Sequence, residues 1–293
     1  MSIDNLTIIG ERINPGFASS KVLLENEDIA GLQELAKSQV AKGAQYLTLN
    51  IGEKATTNQK FLAELIVALQ AVVDVPLSFD YPKKQVQEVC LKTYDPAKAR
   101  GRKPIVNSVA ETRWDMLDVL AIQPAKVVLM ASERLENGEE VANTSAAEIA
   151  QTASRMVTKI CSNGHGLNPD DLFIDVSLCP LATDTEGRIK RAVDAIALIG
   201  ADPSMRGVHP LVGLSNLGIM LPKVACDGGP LGVRVESSFL TMTTPHGLDT
   251  ILGTPGRNYQ LLPEQDFVFT GFREAIVMDG YDSLLRVQEL YRS

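Results

Sequence analysis

Cysteine is scarce and unpatterned in this chain: four among 293 residues, Cys90, Cys161, Cys179 and Cys226, with no C-x-x-C. That excludes a disulfide framework or a thiolate metal cluster and predicts reduced, mostly buried thiols in a cytoplasmic protein. Histidine is rarer still. His165, His209 and His246 fall at no metal-ligand spacing, so no metal bound by this chain is expected. Apolar runs are short, none reaching the roughly 18 residues of a bilayer span, and the polar start (Met1-Ser-Ile-Asp-Asn5) is unlike a secretory signal. Basic charge is in deficit, with 28 Lys+Arg against 36 Asp+Glu, a net charge of −8 and a pI near 5.0. No nucleic-acid or anionic membrane surface is expected of such a chain. A G-x-G-x-x-G is missing too, because Gly213-Leu-Ser-Asn-Leu-Gly218 has the wrong glycine spacing, and there is no G-x-S-x-G elbow.

What is present is a large apolar fraction, 45% of residues, enough to bury a core without staples. Short apolar runs alternate with helical patterns from end to end. The strands read as Thr7–Gly10, Tyr46–Asn50, Val75–Asp80, Pro104–Ser108, Lys126–Met130, Leu172–Asp175, Leu211–Leu214 and Leu248–Leu252. Between them, Ile29–Lys42 is helical in pattern with Gly43 as its C-cap, and Phe61, Leu62, Leu65, Ile66 and Leu69 form one apolar helical face. Further helices are expected over Lys84–Lys92, from the capping box Ser145-x-x-Glu148, over Ile189–Ile199, Gly232–Thr244 and Tyr281–Tyr291. Ser132 to Asn143 reads as a polar loop. The strand runs are apolar throughout, as strands covered on both faces must be. Eight strands alternating with helices over residues 1–293 predict one α/β domain, a (β/α)8 TIM barrel.

The polar residues that end these runs are the informative ones. Asn50, Asp80, Asn107, Asp175 and Asn216 would stand around the C-terminal mouth of the barrel, where such folds place chemistry. Aspartate accepts paired hydrogen bonds, and asparagine both donates and accepts. The set suits a flat heterocycle presenting an N–H beside an NH2, such as a pterin or guanine edge. Local readings compete at each position. Asp80 is equally a helix N-cap before Tyr81-Pro82, Asn107 a turn residue, Asn50 part of an Asn-x-Gly turn, and Asn216 an Asx turn. Glu11 and Asn14, with Arg12, stand between pocket lining and a structural ion pair at the rim. Ser215 reads as a support for Asn216, with no nucleophile elbow around it.

Ile8-Ile-Gly-Glu-Arg-Ile-Asn14, Leu49-Asn-Ile-Gly52, Phe79-Asp80, Ile105-Val-Asn-Ser108, Ile174-Asp175 and Gly213-Leu-Ser-Asn216 together resemble the methyltetrahydrofolate:corrinoid methyltransferases, in order from residue 8 to about 252. The resemblance implies a pterin-binding barrel in which Asp80, Asn107 and Asp175 hold the pterin ring, with Ser215, Asn50, Glu11 and Asn14 as further candidates around it. Asn216 would then be the catalytic residue at N5. It also implies tetrahydrofolate or 5-methyltetrahydrofolate as substrate, a corrinoid (cobalamin) carried by a separate protein, and a homodimer. The chain has no D-x-H-x-x-G cobalamin signature, consistent with a corrinoid that arrives on a partner. It departs from the family in Thr48-Leu-Asn50, where Asp-Leu-Asn is frequent, and in Leu217 to Gly232. Two alternatives remain. A dihydropteroate synthase-like pterin enzyme would resemble Ser-Arg-Lys where this chain has Ser215-Asn216-Leu217, and the other is a non-catalytic folate-binding protein.

Overall fold

The computed structural model describes residues 3–162 and 164–292. Met1 and Ser2 of the polar start and Asn163 of Asn-Gly-His-Gly lie outside the described residues. Among the described residues ten strands are formed: β1 (Thr7–Gly10), β2 (Tyr46–Leu49), β3 (Leu77–Asp80), β4 (Ile105–Val109), β5 (Lys126–Met130), β6 (Glu133–Glu136), β7 (Glu139–Ala142), β8 (Leu172–Asp175), β9 (His209–Gly213) and β10 (Thr250–Gly253). All but β6 and β7 join as a closed parallel barrel in the order β1-β2-β3-β4-β5-β8-β9-β10 and back to β1. This is the expected (β/α)8 barrel. Inside it, Ile9, Ile105, Val128, Phe173 and Leu211 pack together as one apolar plug, with Tyr46 and Leu252 against them. The interior is therefore filled, and any cavity must lie at an end.

Ten α-helices among the described residues surround the barrel: α1 (Ala18–Glu25), α2 (Ile29–Ala41), α3 (Lys54–Thr57), α4 (Gln59–Gln70), α5 (Lys84–Thr93), α6 (Ala146–Ser162), α7 (Arg188–Ala201), α8 (Leu231–Thr243), α9 (Phe267–Ala275) and α10 (Gly280–Gln288). The apolar face expected of α4 is buried in full. Side chains start the helices where the backbone has orphan donors: Asp28 accepts from Gly31 N, Asn58 from Phe61 N, and Asp266 from Val268 N and Phe269 N. The capping box at α6 is reciprocal, Ser145 Oγ accepting from Glu148 N at 3.2 Å and Glu148 Oε2 from Ser145 N at 3.0 Å. Gly43 closes α2 at φ +99°, a conformation only glycine enters freely.

Several expectations change. The stretch Ser132 to Asn143 is the antiparallel hairpin β6–β7, turned by Asn137-Gly138 at φ +53° and +87°, the two left-handed positions of a type I′ turn. The crossover after β4 is a 3-10 helix, Trp114–Ala121. Helix α9 has no counterpart in the expected set. Of the four thiols only Cys90 is buried; Cys161 and Cys226 are exposed and Cys179 is intermediate.

At the opposite end of the barrel from its mouth, His209 begins β9 with Nδ1 2.7 Å from Asp249 Oδ2 and its ring 5.4 Å from that of Phe173. The hydrogen bond to Asp249 raises the imidazole pKa, burial opposing it. A raised histidine pKa stabilises the fold fully below its unfolded value of about 6.5, and that contribution is lost as pH rises through the raised pKa. His209→Gln should therefore destabilise the protein by on the order of 1 kcal/mol at pH 6, Asp249 being partly exposed, and by less at pH 9. Chemical denaturation at the two pH values reads the difference.

Candidate active site

The exits of the barrel strands surround a cavity of about 930 Å³, walled further by the turn after β9, by α8 and by the loop after β10. Strand register brings the polar side chains there. Asp80 and Asn107 are Cα partners on β3 and β4, and Asp175 partners Met130 on β5 and Leu211 on β9. Asp80, Asn107, Asp175, Ser215, Asn216, Glu11 and Asn14 all line the cavity. Asp80 caps no helix, since the N-cap of α5 is Lys83. Asn107 is a buried residue inside β4, and its carbonyl accepts from Tyr81 N at 2.8 Å.

Asn50 is placed differently from expectation: it stands behind Asp80, outside the cavity lining. Its Oδ1 accepts from Gly52 N at 2.8 Å, closing the Asn-x-Gly turn, and its Nδ2 donates to Asp80 Oδ2 at 3.0 Å. Turn chemistry therefore holds the amide, which in turn aims the carboxylate. Asn14 lines the cavity while its Oδ1 accepts from Gly16 N at 2.8 Å. Arg12 lies with its guanidinium 4.2 Å from the Phe17 ring centroid and forms no ion pair with Glu11.

Burial sets the electrostatics of the floor. It raises the pKa of Asp80, with the Asn50 hydrogen bond opposing. It raises that of Asp175 to about 6, against a hydrogen bond from Ser177 N at 2.7 Å and with the charge of Asp80 adding to the rise. Ser177 itself holds a left-handed φ of +62°. Asn216 belongs to the 3-10 helix Leu214–Gly218, and its Nδ2 donates to Leu178 O at 3.3 Å, so Oδ1 is left for a ligand.

Other residues in and behind the wall carry no clear signal in the sequence. Gln87, buried on α5, donates to three carbonyls, Phe79 O, Tyr81 O and Asn107 O, at 2.8, 3.0 and 3.1 Å, and so ties the exits of β3 and β4 together. Its only sign is a polar residue beside the apolar Val86 and Cys90. Thr254 and Arg257 come from the loop after β10, Glu236 from the middle of α8, and Lys223 from the segment between the turn and α8. The rim adds apolar groups, including Phe17, Ile219, Leu221 and Pro222. Met220 beside them is 74% exposed at φ +67°.

A filled parallel barrel with acids and amides gathered at its C-terminal mouth defines a class, the (β/α)8 enzymes that grip a small molecule among their strand exits. The chain belongs to the family described as pterin binding enzyme, which it matches over residues 12–251. Among curated relatives, the methylcorrinoid:tetrahydrofolate methyltransferase of Eubacterium limosum is 25% identical over 255 residues, 85% of each chain. Among solved structures, dihydropteroate synthase from Thermus thermophilus superposes with a TM-score of 0.56 at 18% identity, covering 94% of this chain and 93% of that one. The enzyme from Burkholderia cenocepacia gives 0.57 at 16% identity, covering 86% and 87%. These two are likenesses of fold. Among the described residues no helix is long and apolar enough to cross a membrane, and no group of three or more metal-ligating side chains occurs.

Proposed function

We propose that the chain is a methyltransferase that moves a methyl group between N5 of a reduced folate and the cobalt of a corrinoid carried by a separate protein. The observation that carries this reading is the grouping of Asp80, Asn107 and Asp175 in one cavity with Asn216. In it, the two carboxylates accept from the N–H and NH2 edge of the pterin while the Asn107 amide fills the remaining donor and acceptor positions. Each hydrogen bond to a charged partner contributes roughly 1.5–3 kcal/mol, enough for three groups to fix the ring's orientation. Asn216 offers Oδ1 to N5, where it stabilises a protonated nitrogen or holds an N–H so that the lone pair points at the methyl group. An amide does not titrate, so its part is orientation and charge stabilisation. Glu11, Asn14 and Ser215 complete the wall, and Asn50 acts by holding Asp80.

The cations Arg12 and Lys223 on the cavity wall suit the carboxylates of a folate tail. The name of the Eubacterium limosum relative supports the corrinoid partner, and the cavity's open mouth is where a protein-bound corrinoid can bring its methyl group in line with N5. The same family resemblance carries the expectation of one pterin-binding domain over residues 1–293, of a homodimer and of a cytoplasmic enzyme. Light scattering on the purified chain reads the oligomeric state.

The test is calorimetric titration with tetrahydrofolate and 5-methyltetrahydrofolate, followed by absorbance changes on adding a methylated or Co(I) corrinoid protein. Heat of binding with methyl exchange is expected. Binding without exchange would leave a folate-binding protein. Turnover instead of 6-hydroxymethyl-dihydropterin pyrophosphate with 4-aminobenzoate would make it a dihydropteroate synthase.

A further inference from the structure

Two carboxyl groups share one side of the cavity in opposite surroundings. Glu11 leaves β1 with both oxygens engaged: Ser215 Oγ donates to Oε2 and Thr254 Oγ1 to Oε1, each at 2.7 Å. Glu236 is fully buried in mid-helix on α8 and lines the same cavity, yet neither of its oxygens has a hydrogen-bond partner among the described residues. It also lies close to the turn that carries Ser215 and Asn216, since a Cβ placed on Gly218 would sit 3.5 Å from Glu236 Oε1.

The charged and titratable groups that face Glu236 among the described residues are few. Glu11 comes from the exit of β1, and Arg257 and Tyr259 come from the loop after β10. Arg234, on its own helix, is turned away into Asp227 and Asp266. Arg257 Nη1 is 2.9 Å from Glu236 Oε1 but off the line of its N–H, so no hydrogen bond forms. Burial outweighs the guanidinium, and with the Glu11 charge adding to it the pKa of Glu236 rises to about 8. A buried carboxyl that lines the cavity, lacks a hydrogen-bond partner and keeps its proton in this way is placed to pass that proton to a ligand.

We propose that Glu236 holds the proton exchanged with the reacting nitrogen, giving it to N5 when the N–CH3 bond breaks and taking it back when that bond forms, through water in the cavity. This deepens the methyl-transfer reading and rests on it. In the demethylating direction a proton passes from the Glu236 carboxyl to the tertiary amine. The methyl then leaves to an incoming Co(I), whose own electron pair forms the Co–C bond, and the C–N pair stays on nitrogen. The secondary amine keeps the proton, and Glu236 is reprotonated from solvent. In the methylating direction the amine lone pair forms the N–C bond, the Co–C pair stays on cobalt, and the resulting ammonium gives its proton to the Glu236 carboxylate.

The experiment uses Glu236→Gln, which keeps size and polarity but cannot exchange a proton. Infrared difference spectra of wild type against this variant, without folate, should show a protonated-carboxyl band at pH 7 that titrates near pH 8. Wild-type kcat should carry an inflection in that range, and the variant should lose it, with kcat down about 10²-fold and KM for folate changed less than about threefold. A wild-type rate and pH profile in the variant, or a Glu236 already ionised at pH 6, would overturn the proposal. Absence of folate binding in the wild type itself would overturn the methyl-transfer reading and this inference with it, an outcome distinct from either of those.

Discussion

Asn216→Ala is expected to slow methyl transfer about 10²–10³-fold while leaving tetrahydrofolate affinity within about tenfold of wild type, because a pre-placed polar group at a reacting atom is worth that much. The asymmetry follows from position. Asn216 stands on the turn after β9, apart from Asp80, Asn107 and Asp175, whose hydrogen bonds would supply most of the ring's affinity. With Nδ2 given to Leu178 O, the atom that the proposed reading presents to N5 is Oδ1, an acceptor. An acceptor stabilises N5 when it carries a proton, the state in which the amine is a competent leaving group. Stopped-flow corrinoid absorbance gives the rate and calorimetry the affinity. A variant that turns over at the wild-type rate would remove Asn216 from the chemistry. Asn216→Asp is the informative companion. It keeps the acceptor, adds charge beside N5, and should retain more activity than alanine at pH values where N5 must be protonated.

The barrel was legible because its strands are apolar on both faces, a pattern that only a sheet covered inside and out produces. The site was legible to the extent that its residues interrupt that pattern. Asp80 and Asp175 end buried runs and Asn107 interrupts one, and a buried acid or amide with no role is costly. Glu236 gave no such signal. It sits in Val235-Glu236-Ser237-Ser238, which reads as an ordinary amphipathic turn, and the turn after β9 and the loop after β10, which lie against it in the fold, are what mark it. Arg257 and Thr254 lie in a loop whose path depends on tertiary contacts. Asn50 carries two readings in the sequence, turn and pocket, and the local Asn-x-Gly hydrogen bond together with its bond to Asp80 sets it behind the cavity lining. The hairpin β6–β7 was hidden because Asn137-Gly138 is flanked by Glu136 and Glu139 and by few apolar residues, so turn chemistry alone marks it. Helix α9 starts on a single capping aspartate, Asp266, after a segment rich in turn residues.

Asp175→Asn should separate binding from stability. On the proposed reading the ionised carboxylate accepts charge-assisted hydrogen bonds from the pterin edge, so removing it should weaken tetrahydrofolate binding about 10²–10³-fold, the loss of one to two such bonds. In the wild type the same logic gives a pH dependence. Affinity should rise as pH passes through about 6, where Asp175 ionises, and level off above it. Stability of the unliganded protein runs the other way. A carboxyl whose folded pKa is raised holds its proton in the native state after the unfolded chain has released it, so stability falls as pH rises from about 4 to about 6 and stays reduced above. A shift of that size corresponds to at most about 3 kcal/mol. Asp175→Asn should therefore melt higher than wild type at pH 7.5, by an amount that disappears near pH 4, while binding folate poorly at both. Such opposition is expected of a group held charged and partly dehydrated for a ligand's sake. A variant equally stable at both pH values and still tight for folate would place the pterin edge elsewhere in the cavity.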